Sequence, residues 1–385
     1  MNFISNRRML SRITIKKLYG LYTYMLDFCP EKHPYCFVTG PNAYGKTTLL
    51  RMISCLYKRG FAELSSIMFD EFRIAFDDGF QTVITQKRIY SSDSSSDEVE
   101  PKKVVLTFSS NYKGGKEETF QWEKGKESED RLNNLTAYLS SHPIYMIPDS
   151  RLYDGVKSDS AGHSLEEKVR EYLQDLEREL NASFQQGMME DYGTMTEEEY
   201  KQQVSRLQPL IDSVLRYELL RKNPIPAYSV EKASFCHSCI AAFDKALTGD
   251  VLKKVVSLDA LHNIIGNYCF ANKKLELSPY FGFRFKAEDE NATILSFGQL
   301  SSGERHIMLM NCDILFDVQD DALVLIDEPE LSFHLEWQGQ FMTNLEVLAG
   351  VRKDLQYIIC THAPEMFSYD WDMTVDLYQQ SEKRI

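Results

Sequence analysis

Apolar and polar residues alternate from Ile13 to Phe28, which predicts extended chain, and Tyr35 to Thr39 follows as a short apolar run ending at a glycine. Such a run reads as a buried strand feeding a loop. Beyond the loop, Leu49, Leu50, Ile53, Leu56 and Tyr57 recur at three- and four-residue steps, so Lys46–Tyr57 is expected to be a helix with one buried face. Phe72–Phe76, Thr82–Tyr90 and Val104–Phe108 read as further strands. The serine- and acid-rich run from Ser91 to Lys103 interrupts them and reads as a solvated hairpin loop.

The period changes near Ser164, where Ser-Leu-Glu-Glu has the form of a capping box opening a helix. Leu165, Val169, Tyr172, Leu176, Leu180 and Phe184 then repeat at helical spacing, and a second helix is expected over Glu197–Leu220, before Asn223-Pro224-Ile225-Pro226. Two antiparallel helices of about three heptads each predict a short arm or lobe rather than a long coiled coil. Helices at Val230–Leu247 and Val251–Phe270 and strands at Leu275–Phe285 and Ala292–Phe297 follow, and the last hundred or so residues alternate helix and apolar strand in the manner of a parallel sheet. The pattern predicts an α/β chain with a mixed or parallel core sheet, an antiparallel β subdomain and a helical insertion. Residues 1–160 and 271–385 are expected to form the two halves of one domain, with 161–270 inserted between them.

With 385 residues, 43% of them apolar, the chain can bury one large core or two modest ones. A net charge of −14, from 43 basic and 57 acidic residues, excludes a surface that is basic throughout. No stretch approaches the roughly 20 apolar residues of a membrane span, so a soluble, cytoplasmic protein is expected. The eight cysteines sit mostly in apolar segments and imply reduced core thiols, Cys236 and Cys239 included; that pair has zinc-like spacing but no second pair nearby.

Gly40-Pro41-Asn42-Ala43-Tyr44-Gly45-Lys46-Thr47-Thr48 lies between the predicted strand and helix and fits the P-loop pattern of glycine, four residues, then Gly-Lys-Thr. Loop amides at a helix N-terminus suit phosphates, Lys46 suits the β- and γ-phosphates, and the Thr47 hydroxyl suits Mg²⁺, which implies ATP with Mg²⁺. Leu323-Val324-Leu325-Ile326-Asp327-Glu328 reads as a central strand delivering two acids at its end. Asp327 is placed to hold Mg²⁺ and Glu328 to activate the attacking water. Upstream, Ser301-Ser302-Gly303-Glu304 opens the apolar helix expected over His306–Phe316, a second helix N-terminus of anion-binding form.

Leu300-Ser301-Ser302-Gly303-Glu304, about 25 residues before that strand, resembles the signature motif of the ABC ATPase superfamily. The resemblance implies that Ser301–Glu304 covers ATP held by the P-loop of a partner subunit, in a homodimer or larger homo-oligomer. It also implies that His362, at the exit of the apolar run Tyr357–Thr361, is the switch histidine, catalytic beside Glu328.

About 250 residues separate Lys46 from Ser301, which is unlike transporter subunits and similar to the SMC, RecF and OLD-like branch. The stretch from Asp327-Glu328-Pro329-Glu330 to His334 and Trp337-Gln338 resembles OLD-like ATPases more narrowly. Three departures stand out: Ala43-Tyr44 replaces a usual Gly-Ser, Ser150 stands where many relatives have glutamine (Gln81 and Gln86 being weak substitutes), and only about 20 residues follow His362, where OLD nucleases continue into a Toprim domain. Tyr19, Tyr22 and Tyr24 occupy positions where ABC proteins often place an adenine-stacking ring. Freestanding relatives resemble the ATPases of Septu, PARIS and retron antiphage systems, so the resemblance implies a separate effector, a nuclease, with nucleic acid or a phage protein as trigger and no membrane. A RecF- or SMC-like DNA-repair ATPase and an ATP-binding scaffold with little turnover are the alternatives.

Overall fold

The structure is a computed structural model and describes residues 9–28, 32–90, 101, 103–111, 117–123, 133–148, 158–268, 270 and 272–382. The loop expected from Ser91 falls almost entirely outside them, as does Ser150. In chain order the elements are β1 (Leu10–Leu18), β2 (Tyr22–Asp27), β3 (Tyr35–Thr39), α1 (Lys46–Tyr57), α2 (Phe61–Ser66), β4 (Glu71–Phe76), β5 (Gln81–Ile89), β6 (Lys103–Asn111), β7 (Glu118–Glu123), α3 (Asn133–Ser140), β8 (Ile144–Ile147), α4 (Ser158–Gly187), α5 (Glu197–Arg216), α6 (Ala233–Ala246), α7 (Gly249–Asn267), β9 (Lys273–Ser278), β10 (Gly282–Ala287), β11 (Ile294–Leu295), α8 (Ser302–Cys312), β12 (Leu323–Asp327), α9 (Leu335–Val351), β13 (Gln356–Cys360), β14 (Thr374–Asp376) and α10 (Leu377–Glu382).

Two compact units emerge, one of residues 1–151, 318–342 and 352–385, the other of 152–317 and 343–351. Residues 271–317, grouped by pattern with the C-terminal half, thus fall in the same unit as the helices.

In the first unit a five-stranded sheet runs β14-β3-β13-β12-β8, with every neighbouring pair parallel. β12 and β13 are buried at every position, as a strand covered on both faces must be. A six-stranded antiparallel sheet, β2-β1-β4-β5-β6-β7, alternates instead: β4 buries Phe72, Ile74 and Phe76 and half-exposes the residues between. Leu49, Leu50, Met52 and Ile53 of α1 share one core with Ile74 and Ile84 of this sheet and Leu325 and Ile358 of the other. The buried Gln356 amide joins them, accepting from Leu10 N–H and donating to Leu10 O at 2.8 Å each. The fold is the expected α/β P-loop class.

The second unit holds α4 to α8 and the antiparallel β11-β10-β9 sheet. Here the structure corrects three expectations. α4 begins at Ser158, six residues before the capping-box pattern at Ser164, because serine costs little inside a helix and nothing in 158–163 forbids one. α5 ends at Arg216 rather than Leu220, where Glu218 turns left-handed at φ 55°. The main partner of α4 is α6 rather than α5. Gly187 permits this approach, since a Cβ there would meet the Ala242 Cβ at 2.8 Å. α5 joins the bundle through Asp259 of α7, which accepts from the Ser213 and Tyr217 hydroxyls at 2.7 Å. Cys236 and Cys239 are buried on α6.

Candidate functional site

β3 ends at Thr39 and the chain enters the loop at Gly40, with φ 138°. The loop closes at Gly45, the N-cap of α1, in the left-handed region at φ 85°. Only glycine suits that place: a Cβ would be strained there and would lie 2.9 Å from Leu18 Cδ2. Among the described residues no side-chain cap closes α1, whose N-cap glycine has none to offer the N–H groups of the first turn. Pro41, Asn42, Ala43 and Thr47 are exposed on this loop, while Lys46 is buried.

Lys46 Nζ donates to Gly40 O at 2.9 Å and lies 2.6 Å from His362 Nε2. That same ring nitrogen is 3.0 Å from Glu328 Oε1. Nε2 serves one neighbour at a time: unprotonated it accepts from Lys46, protonated it donates to Glu328. Parallel pairing of β3, β13 and β12 brings these three side chains together from opposite ends of the sequence. Glu328 takes φ 44° and its N–H donates to Cys360 O at 2.9 Å, fastening the turn after β12 to β13. Burial pulls the Lys46 ammonium below the ordinary lysine range, while Glu328, Glu330 and Asp327 work against that pull. Burial likewise drives the Cys360 thiol well above its ordinary value, so it stays a neutral core group under the loop.

Asp327 is buried at the end of β12 and Thr47 is exposed on the first turn of α1. A hydroxyl and a carboxylate are hard oxygen donors, and Mg²⁺ is ordinarily held by one or two protein groups with water and phosphate oxygens, so this pair fits it.

In the second unit Ser301 is the N-cap of α8, with a complete capping box. Its hydroxyl accepts from Glu304 N–H at 3.2 Å, and its own N–H donates to Glu304 Oε2 at 2.8 Å. Lys273 Nζ donates to Glu304 Oε1 at 2.7 Å. Burial pushes the Glu304 carboxyl up, but Lys273 and the Ser301 bonds outweigh it and hold the group below the usual carboxylate range. Ser301 and Ser302 stand exposed; Gly303 and Glu304 are buried. The helix foreseen from His306 begins at Ser302 and continues as a π-turn over Asp313–Asp317.

The family described as "AAA domain, putative AbiEii toxin, Type IV TA system" matches residues 36–368. The chain belongs to this AAA-domain family. A curated relative, "Retron Ec83 probable ATPase" of Escherichia coli, is 30% identical over 119 residues, 28% of this chain. The match spans 20% of that relative's own length. Among solved structures, the Smc head domain of Pyrococcus furiosus bound to the C-terminal domain of ScpA has a TM-score of 0.41 at 14% identity, covering 94% of this chain and 91% of that one. The SMC head domain of Thermotoga maritima has a TM-score of 0.38 at 9% identity, covering 95% and 92%.

At Ala43-Tyr44, where the resemblance led to an expectation of Gly-Ser, the structure shows how the loop is held. Ala43 takes φ 68°, a left-handed conformation that an alanine adopts only under constraint. Tyr44 supplies the constraint: its carbonyl accepts from the Tyr24 hydroxyl at 2.7 Å, and its ring meets Tyr22 at 5.1 Å and Tyr378 at 5.7 Å. Tyr24 is therefore buried beneath the loop and Tyr22 packed against it, whereas Tyr19 is 44% exposed with its hydroxyl 3.1 Å from Thr48 Oγ1. The Gln86 amide is fully committed to the backbone of Ile67, Ser65 and Phe69 and to Arg88, which removes it as a phosphate-facing glutamine. Two residues with evident roles went unassigned in the sequence: Glu330, which accepts from His362 N–H, and Lys273.

Proposed function

We propose that the chain hydrolyses ATP and that two copies close on two nucleotides, controlling a separate effector in antiphage defence. The observation that carries this reading is the contact chain Lys46–His362–Glu328, drawn together over the P-loop from three adjacent parallel strands. Lys46 meets the β- and γ-phosphates, trading His362 for a phosphate oxygen. Glu328 takes a proton from the attacking water, and His362 holds the γ-phosphate side of that water. Thr47 and Asp327 would hold Mg²⁺, which when bound offsets phosphate charge. The exposed Tyr19 ring is the adenine platform. Ser301 and Ser302 of the partner copy, both exposed, cover the γ-phosphate through their hydroxyls, with Gly303 behind them. The family description and the likeness to the retron ATPase support a defence role, with a nuclease as the effector class.

Glu328→Gln tests the reading. The variant should bind ATP with Mg²⁺, double in mass and release nucleotide slowly; a variant that stays monomeric and exchanges nucleotide freely contradicts it.

A further inference from the structure

We infer that Glu330 is a positioning residue that sets His362 for turnover, an assignment that rests on the ATPase reading above. Glu330 lies in the short 3₁₀ turn Pro329–Ser332 that follows the left-handed Glu328. The turn sends the two acids to different parts of the next strand's exit. Glu328 reaches the His362 ring, while Glu330 Oε1 accepts from His362 N–H at 2.6 Å and from the Thr361 hydroxyl at 2.8 Å. Thr361 Oγ1 in turn accepts from Ala363 N–H at 3.0 Å. One carboxylate thereby holds three consecutive residues, 361 to 363, at the point where β13 gives way to the loop that carries the imidazole.

The cost of this arrangement argues for a purpose. Glu330 is 8% exposed, and among the described residues its second oxygen, Oε2, is buried without a hydrogen bond. Taking a polar side chain of this size out of water is expensive unless its bonds repay the cost. What the side chain adds is two short bonds accepted by a single oxygen, which fix the main chain at His362 and the side chain of the preceding Thr361. With Nε2 shared between Lys46 and Glu328, a small rotation of the ring breaks one contact or the other. Fixing the backbone beneath the ring keeps Nε2 within reach of both partners.

The test is a double-mutant cycle in steady-state ATP turnover: the unsubstituted chain, Glu330→Ala, Glu330→Gln, His362→Ala and the Glu330→Ala/His362→Ala pair, each with its thermal unfolding recorded. Glu330→Ala should lower kcat by about 10- to 100-fold with KM changed by less than about threefold. Glu330→Gln, which keeps an Oε1 acceptor, should recover most of that loss, and in the His362→Ala background Glu330→Ala should cost nothing further. Losses that multiply in the pair overturn the assignment, as does Glu330→Gln falling as far as Glu330→Ala. Should Glu330→Ala fail to fold, the cycle is run with Thr361→Val, which removes the shared hydroxyl; a kcat loss absent from the His362→Ala background supports the assignment, and an additive loss overturns it. No turnover by the unsubstituted chain defeats the underlying ATPase reading and this assignment with it, whereas turnover with multiplying losses defeats the assignment alone.

Discussion

Two helices begin at glycine- and serine-bearing loops, and they begin in opposite ways. α1 opens at a left-handed Gly45, which offers no side-chain cap to the N–H groups of its first turn. α8 opens at Ser301 with both halves of a capping box filled and a lysine clamped on the capping acid. Helix N-termini attract anions through these N–H groups and the helix dipole, so the first is built to take its charge from outside, while the second already carries a carboxylate. The difference assigns different work to two motifs that look equally anion-seeking as letters. At the P-loop the helix end is left without a side-chain cap; at Ser301 it is capped, and only the exposed Ser301 and Ser302 are left to touch something else.

Substitutions at each end sharpen this contrast. Lys46→Ala should weaken ATP binding most, by about 100-fold, as expected for losing a charge-assisted contact of about 3 kcal/mol, while leaving the melting temperature nearly unchanged; calorimetric titration with ATP and Mg²⁺ checks both. At the other helix the effects should fall on stability. Lys273→Met leaves Glu304 buried without its cation and should destabilise the chain by about 2 kcal/mol at neutral pH. The sign of its pH dependence follows from Glu304, whose folded-state value lies below the ordinary 4.5. The stability that Lys273 contributes is therefore complete above that value and is lost as pH falls through the lower folded one, so denaturant curves of the two chains should converge on acidification. Equal differences at neutral and acid pH would break the clamp account. Ser301→Ala should have the smallest effect on stability, about 1 kcal/mol from the lost cap, measured by the same denaturant midpoint.

The P-loop was legible because its chemistry is local: glycine spacing, an apolar strand before it and helical periodicity after it occupy some twenty residues. β12 and β13 were legible for the same reason, as unbroken apolar runs ending in polar groups. What escaped depends on residues far apart. Nothing near Ser164 says that α4 has already begun, and nothing in the heptads says that α4 prefers α6 until Gly187 meets Ala242. Glu330 stood in plain view beside Glu328, yet its partners Thr361 and His362 lie across a strand pairing more than thirty residues away. Lys273 on β9 likewise gains meaning only against Glu304. At Ala43-Tyr44, read in the sequence only as a departure from Gly-Ser, the aromatic packing of Tyr22, Tyr24 and Tyr378 around Tyr44 shows how the chain holds that conformation without glycine.

The central claim is that each nucleotide site is completed by a second copy of the chain. It is tested most directly by measuring ATP hydrolysis per molecule across a range of protein concentrations, with Glu328→Gln alongside and mass determined with and without ATP. A shared site should give a specific activity that rises with concentration, vanishes in the variant and accompanies an ATP-stabilised oligomer; turnover by a monomer, independent of concentration, would contradict it.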